Sequence, residues 1–153
     1  MKKEIDRGIK DIIKFLNNNN FNTEYSCSGL YKDHLTDEDA FCYKKGNKGY
    51  ISFVPLSNDK ELLIKKAALS SCFAFSGSNE EIISLNVENN KINRKKEISK
   101  HCAVYTYFPI IKNLTKEKIT TEIMDQILEH NWNNFKKIIE NEIFQGIIEK
   151  KVE

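Results

Sequence analysis

No apolar run in this sequence of 153 residues approaches the ~20 that a membrane-spanning helix requires, so a bilayer-spanning role is not expected. Arginine is almost missing. It occurs only at Arg7 and Arg94, and the other cations are lysines. Arginine is the better group for bidentate phosphate or guanine contacts, so its scarcity argues against sequence-specific DNA reading. Lys and Arg total 24 against 22 Asp and Glu, a net charge of +2. That balance does not suit a general nucleic-acid or membrane-surface binder, although a local basic patch remains compatible with it. The four cysteines, Cys27, Cys42, Cys72 and Cys102, contain no Cys-x-x-Cys pair, and His34 and His101 are scattered among them. No metal site is expected from such spacing. The segment Met1–Arg7 is charged and then amphipathic, with no apolar stretch of a signal peptide. A cytoplasmic location and reduced thiols are therefore expected. No P-loop, dinucleotide glycine fingerprint, nuclease carboxylate cluster or His-Glu-x-x-His is present.

What is present suits one globular domain, with 40% hydrophobic and 30% charged residues. Ile5, Ile9, Ile12, Ile13 and Leu16 recur at helical spacing and predict a helix over 4–17, stopped by the run Asn17–Asn20. Phe21–Cys27 reads as a strand with a turn at Gly29. Residues 30–48 are polar and aperiodic, as in a functional or mobile connection. A strand over 49–54 ends at Pro55, and Ser57 or Asn58 caps a second helix to about Ser70. With Asn58 as the cap, Glu61 would complete a capping box. Phe73–Phe75 and Glu81–Val87 read as strands, with Asn89-Asn90 a turn signal. Residues 91–98 are polar and predict no definite element. A strand from His101 to Phe108 closes at Pro109. Thr115 then caps a helical segment with an apolar stripe through Ile119, Ile123, Ile127, Leu128, Phe135, Ile138, Ile139, Ile143, Ile147 and Ile148. Asn131–Asn134 either divides or kinks it.

The predicted fold is α+β. Two helix-strand-strand units share one mainly antiparallel sheet with helices on one face, followed by a long C-terminal helix or helix pair. Residues 1–112 form the core of a single domain and 113–153 its helical segment. Each unit ends its first strand in a Ser/Gly turn, Ser26-Cys27-Ser28-Gly29 in one and Ser76-Gly77-Ser78 in the other. Pseudo-symmetry would bring the two turns to the same end of the sheet.

Small residues at strand ends leave backbone N–H groups open, and such a nest suits a phosphate or carboxylate. The candidate ligand-binding residues are Ser26, Cys27, Ser28, Gly29, Tyr31, Ser76, Gly77 and Ser78. Tyr31, Phe41, Tyr43 and Tyr50 surround the first turn and could stack on a flat ligand, although core packing is the plainer use of such rings. Lys32, Lys44, Lys45 and Lys48 are offset by Asp33, Asp37, Glu38 and Asp39. Cys27 would act as a nucleophile only with an activating base; His34 is near in sequence, but no third orienting group is evident, so a packing role is the simpler assignment. No catalytic residue and no cofactor is assigned from the residues alone.

The order Leu16-Asn17, then Thr23-x-Tyr25-Ser26-Cys27-Ser28-Gly29, then Tyr50-Ile51-Ser52-Phe53, resembles small uncharacterised phage and prophage proteins of Firmicutes. It is more remotely similar to the N-terminal part of the wybutosine tRNA-modification methyltransferase family. In that family a Thr-x-Ser-Ser-Cys-Ser-Gly-Arg stretch follows a helix; Leu30 stands here in place of the arginine. The resemblance covers residues 5–87 and implies a related fold. The expected function is a small phage- or prophage-type protein that binds a nucleotide-like or other small polar ligand at the paired turns, with a role in host-defence evasion. Two alternatives are an S-adenosylmethionine-dependent RNA-modifying enzyme and a non-enzymatic interaction module that forms a homodimer through residues 115–150.

Overall fold

The computed structural model describes residues 5–34, 49–79, 81–98, 100–106 and 121–146. Readings that fall on other residues lie outside the described ones. They comprise most of the polar connection over 30–48, the end of the strand at Phe108 and Pro109, the cap at Thr115, and the stripe positions Ile119, Ile147 and Ile148.

The chain is α+β; the described residues form three α-helices and two antiparallel sheets. A 3-10 turn at Arg7–Ile9 leads into α1 (Lys10–Asn18), which buries Ile12, Ile13 and Leu16 as their spacing predicts. Asn20, at a φ of 65°, reverses the chain, and the Phe21 amide returns to the Leu16 carbonyl at 2.9 Å. Asparagine tolerates this left-handed conformation better than most side chains, which is why the amide run stops the helix.

β1 (Thr23–Cys27), β2 (Tyr50–Phe53), β3 (Ala74–Ser76) and β6 (Ala103–Tyr105) form a four-stranded antiparallel sheet in the order β1-β2-β6-β3. Ile51, Phe53 and Val104 are buried on one face, against the helices. Tyr25, Tyr50 and Tyr105 occupy the other face by strand alternation.

α2 (Asn58–Ser70) starts at Ser57, whose hydroxyl accepts from the Lys60 amide. With Ser57 as the cap, the fourth position is Lys60 and no capping box forms. Glu61 instead accepts from the Ser78 amide at 3.3 Å. Lys60 is buried: its ammonium donates to the Asn20 carbonyl at 3.1 Å and lies over the Phe21 ring, tying α2 to the end of α1.

α3 (Thr121–Phe144) is one helix and runs unbroken through Asn131–Asn134. Asparagine is a weak helix former, but here Asn134 donates to the Ser70 carbonyl and the Ser71 hydroxyl, so tertiary bonds outweigh propensity. Its buried residues include Met124, Leu128, Trp132, Phe135 and Ile139, while Ile123 is exposed. Trp132 packs on Phe73 at 4.5 Å and on Phe135 at 5.9 Å between ring centroids.

The fourth expected strand, Glu81–Val87, does not join the shared sheet. β4 (Glu81–Glu88) pairs with β5 (Lys91–Ile98) as a separate two-stranded ribbon. β5 is exposed along its whole length, and Ile92 and Ile98 share their side of the strand with Arg94 and Lys96, so β5 is not buried against the core. Asn89 and Asn90, at φ of 52° and 62°, close the ribbon in the two-residue turn that suits strand twist. The place in the main sheet falls to β6, which pairs with both β2 and β3. No helix among the described residues is long and apolar enough to cross a membrane.

Candidate functional site

Gly29 ends β1 with a φ of +74°, a conformation that glycine reaches without steric cost. It also meets Gly49 at the mouth of β2: a Cβ built on Gly29 would lie 2.6 Å from the Gly49 nitrogen. Glycine is thus required twice over at this crossing. Thr106 closes the crossing from the far side. Its hydroxyl accepts from the Gly49 amide at 2.9 Å, and its own amide donates to the Gly49 carbonyl.

Ser28 lies at the centre of this arrangement and is fully buried. Its amide donates to Asp6 Oδ2 at 2.8 Å, and its hydroxyl donates to Asp33 Oδ2 at 2.7 Å. The same hydroxyl accepts from the Leu30 amide at 3.1 Å. Its carbonyl accepts from Trp132 Nε1 at 2.9 Å. Asp33 also takes the Gly8 amide, and Asp125 takes the amides of Tyr31 and Lys32 at 2.7 and 2.9 Å. The first Ser/Gly turn is therefore a nest whose anions are the chain's own carboxylates, drawn from three segments. These groups satisfy each other in a buried setting where an unpaired polar atom would cost about 1–3 kcal/mol.

The other sequence-predicted residues are distributed as follows. Ser26 is half-buried and pairs with Ile51, while Cys27 is buried opposite Tyr50 on the outer face. Tyr31 is half-buried in a 3-10 turn, Tyr31–His34. Ser76 and Ser78 are half-buried, and Gly77 is buried. The two turns do not come together. The register runs Cys27–Tyr50–Tyr105–Ala74 across one end of the sheet and Tyr25–Ser52–Ala103–Ser76 towards the other. Among the described residues β1 and β3 are the two edge strands and run in opposite directions, so their turns stand at opposite edges and opposite ends. The expected pseudo-symmetry fails because β3 pairs with β6 rather than with its sequence neighbour.

Beside the first turn opens a cleft of about 390 Å³ lined by Ile5, Asp6, Arg7, Lys10, Lys32 and Asp33. Asp6 and Asp33 accept from Ser28 and Gly8 and are held in place by them, so the lining sets three cations, Arg7, Lys10 and Lys32, against two fixed carboxylates. Lys32 also pairs with Glu129, whose hydrogen bond raises the Lys32 pKa and keeps the ammonium charged. Asp6 is near the tyrosine-bearing face as well. Burial, followed by the negative charge available at Cys27 and Asp6 and at Tyr105 and Tyr25, raises the Tyr50 pKa. The phenol thus stays neutral and remains a donor. Arg7 and Lys10 were not singled out in the sequence. Their three-residue spacing on one helical turn is common, and only the fold sets them against Lys32. Among the described residues no group of three His, Cys, Asp or Glu side chains could hold a metal ion.

Comparison with known protein families, with curated proteins and with solved structures finds no match to this chain.

Proposed function

We propose that the chain binds a small anionic, nucleotide-like ligand in the cleft beside the Ser26–Gly29 turn, without transforming it. The observation that carries this reading is the convergence of Arg7, Lys10 and Lys32 on one cleft whose carboxylates are already engaged by Ser28 and Gly8. A phosphate or carboxylate there would meet three exposed cations, Lys32 being shared with Glu129, and could take charge-assisted hydrogen bonds from them. Outside the cleft lining, the outer sheet face carries Tyr50, Tyr25 and Tyr105; the charge of Asp6 reaches Tyr50, and in this reading a planar base extending from the cleft stacks on that ring. In this reading the buried Ser28 turn is the rigid wall that sets the spacing of the cations, rather than the group that touches the ligand. The second turn, Ser76-Gly77-Ser78, lies too far round the sheet to share the same small ligand.

Thermal-shift and calorimetric titration with nucleoside mono-, di- and triphosphates, cyclic nucleotides and S-adenosylmethionine tests the reading, with inorganic phosphate as the charge-only control. A ligand selective for the native state raises the melting temperature as its concentration exceeds the dissociation constant. Arg7→Glu with Lys10→Glu should abolish the shift while leaving the fold intact, and Tyr50→Ala should weaken nucleotides but not phosphate. If no phosphorylated compound shifts the wild-type chain, or the charge-reversed variant binds as well as wild type, the reading is wrong.

A further inference from the structure

The β4–β5 ribbon carries an apolar face that none of the other described residues covers. Leu85, Val87 and Ile92 are 67%, 70% and 71% exposed, and Ile83 and Ile98 are exposed as well. Register places Val87 opposite Ile92, Leu85 opposite Arg94 and Ile83 opposite Lys96. Strand alternation puts these residues on a single side of the ribbon. Scattered exposed apolar side chains are ordinary, but five on one face of one ribbon give a strand added at its edge apolar side chains to pack beside. A two-stranded ribbon standing alone is also marginally stable in water and gains from further strands.

The two edges of the ribbon differ. β5 carries Lys91, Arg94, Lys95 and Lys96, the kind of charge that blocks further pairing at a strand edge. β4 has no lysine or arginine, and Ile82–Val87 is uncharged, rich in β-branched and aliphatic residues and free of proline. Among the described residues β4 pairs with β5 alone. In a ribbon closed by a two-residue turn, the residues flanking the turn, Glu88 and Lys91, exchange both backbone hydrogen bonds. Alternation then leaves the N–H and C=O groups of Val87, Leu85 and Ile83 pointing away from β5, along the open edge. These residues therefore offer both apolar side chains and ladder groups that no other described strand takes up.

We propose that β4 pairs antiparallel with β4 of a second copy of this chain, making a four-stranded sheet with the order β5-β4-β4-β5. A two-fold axis through Leu85 sets each Leu85 against its counterpart and Ile83 against Val87 of the other copy. Such cross-strand apolar pairs stabilise antiparallel sheets. The cationic strands lie outermost, away from each other, which is why β4 and not β5 is the pairing edge. A closed two-fold pair of this kind also ends further growth, because each outer edge is guarded by lysines.

Sedimentation equilibrium over a micromolar concentration series tests this in wild type and three variants. Leu85→Lys puts a charge on the pairing edge. Leu85→Pro removes an outward N–H together with the leucine side chain; an edge strand tolerates the loss of that N–H, so the ribbon's own ladder survives. Phe144→Asp alters an exposed position on α3 and serves as the control for pairing through the C-terminal helix. The expected result is a wild-type dimer, a rise of at least ~10-fold in its dissociation constant for both Leu85 variants, and no change for Phe144→Asp. A wild-type monomer throughout the series, a dimer indifferent to both Leu85 variants, or dissociation by Phe144→Asp alone would each overturn the proposal. Binding of duplex or single-stranded nucleic acid by a monomer, lost on Arg94→Glu with Lys95→Glu, would overturn it in favour of a groove-binding ribbon.

Discussion

Trp132, the sole tryptophan of the chain, donates its indole N–H to the carbonyl of Ser28 at 2.9 Å across 104 residues of sequence. Both groups are buried. This bond fastens the middle of α3 to the turn that ends β1, and so to the wall of the cationic cleft. Trp132→Phe keeps an aromatic body in the cluster with Phe73 and Phe135 but leaves the Ser28 carbonyl without its donor. A loss of about 1–3 kcal/mol is expected. Urea unfolding followed by circular dichroism should show a lower midpoint with an unchanged slope. A loss below ~0.5 kcal/mol would show that the bond contributes little to holding the turn.

Gly29→Ala tests the crossing of β1 and β2. The φ of +74° alone costs alanine about 1–2 kcal/mol. The added methyl would also sit 2.6 Å from the Gly49 nitrogen and 2.8 Å from its Cα. Backbone has no rotamer to escape into, so the strands must part. The expected loss exceeds ~2 kcal/mol, and an apparent loss of nothing in chemical denaturation would refute the close approach.

Cys72→Gly should do the opposite. Cys72 follows the end of α2 with a φ of 63°, and the Phe73 amide reaches back to the Ala68 carbonyl at 2.9 Å. That is the helix ending in which glycine is preferred. The Cys72 side chain is exposed, so little packing is lost. A gain of roughly 0.5–1 kcal/mol is expected, read as a higher melting temperature. A lower one would mean that the thiol contributes a contact greater than the backbone strain.

Cys102 makes stability depend on pH in the alkaline range. Burial pushes its thiol up to about 12 from an ordinary 9.0. Above the ordinary value the unfolded chain releases this proton while the folded chain keeps it. The unfolded state is then favoured by mass action, so the contribution is complete below pH ~9 and is lost as pH rises towards 12. The slope has a ceiling of about 1.4 kcal/mol per pH unit. Unfolding curves of wild type and Cys102→Ala between neutral pH and pH 10.5 should converge as pH rises. Curves that stay parallel would show that the thiol is not held neutral by the fold.

The three helices were legible because each buries one face and so must repeat apolar residues at the helical period. Ile12, Ile13 and Leu16 in α1, and Leu128, Phe135 and Ile139 in α3, are buried where the pattern put them. Ile123 follows the same pattern and is exposed, because periodicity marks a face and does not say where its neighbours end. β5 was not legible. A strand with charge on both sides has no apolar alternation, and only its register with β4 defines it. The Ser26–Gly29 turn was visible from small residues after a strand. Its partners were not, since Asp6, Asp33 and Asp125 look like surface carboxylates until folding brings them to the Ser28, Tyr31 and Lys32 amides.

The sequence by itself determined the local terms: α+β content, the helix periods, the left-handed glycine at 29 and the Asn-Asn turn at 89–90. These depend on steric and solvation preferences of residues close in the chain. Tertiary structure alone decided which strands meet. Pairing β3 with β6 instead of β4 set the two Ser/Gly turns at opposite ends of the sheet and released β4 and β5 as a separate ribbon. Strand partners are chosen by the burial of whole faces across long loops, and no local pattern encodes that choice. The same long-range packing filled the Ser28 nest with the chain's own carboxylates and placed three cations beside it.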